Sequence, residues 1–216
     1  MNFTSSTIVT KSDNTTLSKM YKLLSLNIGT SALATYFSLG LNVSFAGAIA
    51  IFISAILLLF ALHAVKNTSL RLCILFTFTT LLGASLGPSI NHLLNSQNGG
   101  DILVQALGIT SVMFAGLSYY TIKNQHKDFS RLGTFVFSGL IVVIAAIILN
   151  MFLNIPSLSI TISAAICLIM SAAIIYDTDR AIRENTDYIS ATASMYLNIL
   201  NLFTSIIEIL KFLNDE

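Results

Sequence analysis

Runs of about 20 apolar residues recur along this chain, and no other feature constrains its fold so strongly. A helix rising about 1.5 Å per residue needs about 20 such residues to cross a hydrocarbon core about 30 Å thick. Six segments meet that requirement well, at about 23–41, 43–62, 72–94, 102–122, 133–153 and 157–176. A seventh, at about 189–213, is long enough but carries Asn198, Asn201, Glu208 and Lys211. Unbroken runs such as Ile141-Val142-Val143-Ile144-Ala145-Ala146-Ile147-Ile148-Leu149 lack the polar/apolar alternation of a porin strand. An open sheet would leave backbone groups unsatisfied in lipid. The expected fold class is all-α: a polytopic membrane protein forming a single bundle of seven transmembrane helices.

Composition removes the competing classes. Of 216 residues, 55% are hydrophobic and only 10% charged, whereas a soluble domain carries about 25% charged residues. Eleven Lys and Arg against ten Asp and Glu leave a net charge of +1. That is no footprint for nucleic acid, whose binding runs on basic surface, so the expected surroundings are membrane lipids. Cys73 and Cys167 lie inside apolar runs and read as small core residues. His63, His92 and His126 fall near different loops, so neither a shared metal site nor a cofactor is expected. With no Ser/His/Asp arrangement, HExxH or phosphate-binding glycine loop, an enzyme has no residues to stand on.

The basic residues orient the bundle. Lys11, Lys19 and Lys22 precede the first span, Lys66 and Arg71 follow the second, Lys123, Lys127 and Arg131 the fourth, and Arg180 and Arg183 the sixth. Ten of the eleven Lys and Arg thus fall on one face, which places the N-terminus in the cytoplasm. The first span is expected to be retained rather than cleaved, and the short gap at Asn42 reads as a tight helical hairpin. Residues 1–22 form a polar cytoplasmic tail, ending in a short interfacial helix that sets Leu17, Met20, Tyr21 and Leu24 at helical spacing. Residues 23–213 form the transmembrane domain.

Polar groups inside a membrane are costly and therefore informative. Ser194, Asn198, Asn201, Ser205 and Glu208 recur at spacings of four, three, four and three, one face of a helix. Such a stripe either bonds neighbouring helices or lines an ion path or gate. If the last two spans form an antiparallel hairpin turning near 187 and 188, Asp177 lies opposite Asn198; a local pairing with Arg180 is the alternative. Glu208 is three residues before Lys211, where an ion pair within the helix is the plain reading. Gly83 and Gly87 have the spacing that lets helices approach closely, and Pro88 should kink or end the straight part of the third span.

Three pieces taken together resemble a known signature: Tyr176-Asp177-Thr178 closing the sixth span, Ser194-Met195-Tyr196-Leu197-Asn198-Ile199-Leu200-Asn201-Leu202-Phe203 in the seventh, and Leu86-Gly87-Pro88-Ser89-Ile90-Asn91. Gly100-Asp101 with Ala106-Leu107-Gly108, and Thr186-Asp187-Tyr188-Ile189-Ser190-Ala191-Thr192, add to them. The likeness, which runs from about Lys19 to the C-terminus, is to the Bax-inhibitor family of seven-span proteins, in its bacterial inner-membrane branch. That resemblance implies a regulator that associates with an FtsH-type ATP-dependent membrane protease and restrains it. Other members resemble calcium leak channels gated by pH through two aspartates, one ending span six and one in span seven. Asp177 matches the first of these, but Asn198 stands at the second, and Glu208 replaces an arginine that some members carry late in span seven. Those departures favour the protease modulator over a calcium ion path.

Overall fold

The computed structural model describes residues 4–41, 44–153, 155–183 and 187–215, and among these it contains helices and no strand. The helices are α1 (Thr4–Leu39), α2 (Phe45–Ala64), α3 (Thr68–Ser85), α4 (Gly87–Leu94), α5 (Gly99–Lys123), α6 (Arg131–Leu153), α7 (Pro156–Arg183) and α8 (Tyr188–Asp215). Six stretches are long and apolar enough to cross a membrane: Ala46–Ala64, Thr68–Leu94, Gly99–Lys123, Arg131–Leu153, Pro156–Arg183 and Tyr188–Asn214. The protein is an all-α, multi-pass membrane protein.

Local chemistry sets the helix ends. The Ser44 side chain accepts from the Gly47 N–H at 3.1 Å to start α2, and Asn67 accepts from Ser69 N–H at 3.0 Å to start α3. The third span breaks after Ser85, and Pro88 sits in the first turn of α4, where its missing N–H costs nothing. Asn98 holds the left-handed conformation (φ 56°) before α5, which asparagine tolerates better than most residues. Asn42 and Val43, the expected hairpin turn, lie outside the described residues.

Three expectations need correcting. The last expected span, despite its polar residues, is among the six apolar stretches, and the first, 23–41, is not. Asn27, Thr30, Ser31, Thr35 and Ser38 interrupt its apolar run, and Asn27, Ser31 and Ser38 are buried. The expected interfacial helix is instead part of α1, with Leu17, Met20 and Leu24 buried. Cys73 is exposed and not a core residue, while Cys167 is half-buried.

The chain packs as two units. One comprises Met1–Gln97 and Glu184–Tyr196, the other Asn98–Arg183 and Leu197–Glu216, so the division falls inside α8. In the first unit α3 packs against α1 and α2. Contact there is backbone-close: a Cβ on Gly83 would fall 2.9 Å from the Ser31 carbonyl carbon, and one on Gly87 would lie 2.8 Å from the Ser38 Cβ. The Gly83/Gly87 pair is therefore a packing surface. In the second unit α7 packs against α5 and α6, with Gly139 under Ile169 and Gly133 under Tyr176. Phe137 and Phe152 on α6 are exposed, as lipid-facing side chains can be at no cost.

Candidate functional site

Within the second unit, α7 continues two turns beyond the expected end at Tyr176, and this extension carries the carboxylates. Asp177, Thr178 and Asp179 are all buried. Asn198 Nδ2 donates to Asp177 Oδ2 at 2.7 Å, with the two residues 8% and 9% exposed. The Ser163–Glu208 bond farther along the same two helices fits an antiparallel α7–α8 pair in this register. A carboxylate in such a place needs donors, because an ion with no partner in a medium of low dielectric is strongly disfavoured.

The rest of the stripe is divided. Ser205 is buried beside Asn198 on the same face, but Asn201 is exposed. Glu208 is also exposed, and its Oε2 accepts a short hydrogen bond from the buried Ser163 hydroxyl of α7. Among the described residues Glu208 and Lys211 form no ion pair, so the expected pairing within the helix gives way to one between helices.

Asp179 works as a clamp. Its Oδ1 accepts from Arg183 Nε at 2.7 Å, and its Oδ2 accepts from the Phe129 N–H at 3.4 Å. Arg183 Nη2 donates onward to the Gln125 carbonyl at 2.6 Å and to the Lys127 carbonyl. The α5–α6 connection is thereby tied to the end of α7. In that connection the Ser130 backbone N–H, followed by the Ser130 side chain, holds the Asp128 carboxyl below its ordinary range.

The first unit contains a polar cluster that the stripe analysis passed over. Thr79 Oγ1 donates to Asn27 Oδ1 at 2.7 Å, and Asn27 Nδ2 donates to the Leu23 carbonyl at 2.7 Å. Tyr196 Oη lies 2.5 Å from Ser31 Oγ and donates to the Thr79 carbonyl at 3.2 Å. A phenol has one proton, so Ser31 is the donor of the 2.5 Å bond. Thr35 Oγ1 donates to the Gly83 carbonyl at 2.8 Å. The signal was present in the sequence: Asn27, Ser31, Thr35 and Ser38 repeat at four, four and three, the periodicity noted in α8.

Arg71 was counted only as a loop charge, yet it joins three helices of the first unit. Its Nη2 donates to Asp187 Oδ2 at 2.6 Å and to Ser190 Oγ at 2.8 Å, and its Nε to the Leu62 carbonyl at 3.2 Å. Asp187 also caps α8, accepting from the Ser190 N–H at 2.9 Å. Burial is the largest single influence on the Asp187 carboxyl and would raise its pKa. The Ser190 hydrogen bonds and the Arg71 charge together outweigh it and hold the group below its ordinary range. Among the described residues no group of three or more His, Cys, Asp or Glu could hold a metal ion.

A family profile described as "Inhibitor of apoptosis-promoting Bax1" matches residues 13–215. The chain belongs to this Bax-inhibitor family. A Vibrio cholerae relative, called an uncharacterized membrane protein, is 42% identical over 215 residues, covering 99% of this chain and 96% of the relative. The Escherichia coli K12 "Modulator of FtsH protease YccA" is 36% identical over 201 residues, 93% of this chain and 91% of that protein. An uncharacterized Pseudomonas aeruginosa protein is 34% identical over 194 residues, 89% of this chain and 87% of its own. Asp177 and Asn198, with Gly83, Gly87 and Pro88, all lie inside the matched region of this Bax-inhibitor family member.

Proposed function

We propose that this protein is a non-enzymatic regulator of the bacterial inner membrane that associates with an FtsH-type ATP-dependent protease and modulates it. The observation that carries this reading is likeness over 93% of the chain to a protein named as a modulator of FtsH protease. A second strain's copy is named as an inner membrane protein. Affinity capture of the full chain from native membranes in mild detergent tests it. Recovery of an FtsH-type protease is the expected result, and its absence from the captured material overturns the reading.

The distribution of Lys and Arg supports a cytoplasmic N-terminus, and we take α1 to cross with the six stretches above, which puts the C-terminus outside. Reporter fusions after Asn124 and Asn185 should then read cytoplasmic, and one after Glu216 external. The first residues are the handle we assign to the protease. Deleting residues 2–15 stops short of the buried Leu17, so it should lower modulation or turnover without unfolding the spans.

A buried carboxylate at Asp177 supports a second reading, a pH-sensitive calcium or cation leak. That reading is the weaker, because the facing group is an amide that already donates to Asp177. Two coupled carboxylates titrate as a pair and share a proton; a carboxylate with an amide has no such exchange. Purified protein in liposomes should therefore show little calcium flux and weak pH dependence, and Asn198→Asp should introduce pH dependence. A strong calcium leak from the parent, abolished by Asp177→Asn, would promote the channel.

A further inference from the structure

An open cavity of about 380 Å³ lies within the second unit, where the end of α6, the start of α7 and the last turns of α8 converge. Its size is within the range of small-molecule sites, about 300–1,000 Å³. Asn150 braces one wall, its Nδ2 donating to Ser159 Oγ at 2.7 Å and its Oδ1 accepting from the Ile155 N–H at 3.1 Å. Both polar ends of that amide are thus used in holding the α6–α7 connection. The charged groups that line the cavity are Glu208 and Lys211. Among the described residues Glu208 is bonded to Ser163 alone and Lys211 to none.

This combination selects a ligand. A lone cation would be repelled by Lys211 and a lone anion by Glu208, so the complementary ligand carries both signs. Three residues apart on a helix, the two side chains have Cβ atoms about 5–6 Å apart, a gap that a two-carbon linker between ammonium and phosphate spans. The remaining lining includes Ile155, Ile160 and Phe212, which suits acyl chains and glycerol better than water. Lys211 is three residues from the end of the span Tyr188–Asn214, the depth of lipid headgroups rather than of the hydrocarbon centre.

We propose that this cavity is a binding site for the headgroup of phosphatidylethanolamine, with the primary ammonium on Glu208 and the phosphate on Lys211. A primary ammonium donates hydrogen bonds to a carboxylate, whereas the quaternary ammonium of phosphatidylcholine has no N–H to give. The site is independent of any protease partner.

Native mass spectrometry of the full-length, delipidated protein tests this, with phosphatidylethanolamine, phosphatidylcholine and phosphatidylglycerol added separately at matched concentrations. Phosphatidylethanolamine should bind about tenfold more tightly than either of the others, the effect of one charge-assisted hydrogen bond. Glu208→Gln and Lys211→Met should each lose about tenfold in that affinity, with melting temperatures close to the parent because Glu208 is exposed and Lys211 half-exposed. Equal binding of the three lipids by the parent overturns the proposal without recourse to any variant. So does full retention of phosphatidylethanolamine by both variants. Displacement of the lipid by equimolar soluble phosphoethanolamine would also overturn it, since the site would then belong to water-soluble zwitterions.

Discussion

In the unit that contains α1 to α4 and the start of α8, Asn27, Thr79, Tyr196 and Ser31 are linked in a neutral chain of hydrogen bonds. In the unit that contains α5, α6, α7 and the rest of α8, the buried groups include carboxylates, Asp177 and Asp179, each with donors aimed at it. Hydroxyls and amides tolerate apolar surroundings once each proton has an acceptor. Carboxylates add a charge whose cost depends on every donor staying in place. The polar core of the first unit is therefore neutral, with its ion pair Arg71–Asp187 at the edge, whereas that of the second includes charge.

The sharpest test is steric. Gly83→Leu would drive a side chain into the Ser31 backbone and should cost about 3 kcal/mol or prevent folding. Gly108→Leu on α5, where nothing lies within 4 Å, should shift stability by under about 0.5 kcal/mol. Thermal melts of the two variants in the same detergent check the contrast. Equal melting temperatures would remove close packing as the distinguishing property of the first unit.

Next in size is the loss of a donor to charge. Asn198→Leu strips the 2.7 Å hydrogen bond from Asp177 and should cost about 2 kcal/mol. That loss should largely vanish in Asp177→Asn/Asn198→Leu, which a double-mutant cycle measures. Tyr196→Phe, in the neutral chain, should cost less, about 1 kcal/mol, by removing one hydroxyl from Ser31 and the Thr79 carbonyl. Its effect should not change with pH. A pH-dependent Tyr196→Phe penalty would erase the neutral-versus-charged distinction.

The smallest effect belongs to Asp187 at the edge of the first unit. Its folded pKa lies below the ordinary 3.8, so its contribution is complete above that value. It is lost as pH falls through the lower folded value. Because the pair is partly open to solvent, the contribution should be under about 1 kcal/mol. Parent and Asp187→Asn melting curves should converge as pH drops below the ordinary aspartate range, and a constant gap across that range would remove the ion pair as its source.

Much of this was legible from residue order. Apolar run length gave the helices, Pro88 the break in the third span, and an antiparallel hairpin the Asp177–Asn198 pairing, although α8 already begins at Tyr188, where the turn was expected. The polar face of α1 escaped notice because its run of apolar residues was judged by length alone. Ser and Thr there disguise the polarity by bonding to their own preceding turn, as Thr35 does to the Ser31 carbonyl. The Glu208–Ser163 bond could not be read either. Lys211 was the nearest partner along the helix, and nothing local distinguishes it from a serine 45 residues away.

Arg71 and Asp187 stand 116 residues apart in the chain, and that distance is also a delay. At about 5–20 residues per second a ribosome needs roughly 6 to 23 s to go from one to the other. Throughout that interval the guanidinium that will join three helices lacks its counter-ion. A nascent protein truncated before Asp187 could not complete the junction, and its second and third helices would be left with a charge that has no carboxylate to meet. Completion of the ion pair thus waits until 187 of these 216 residues have been made.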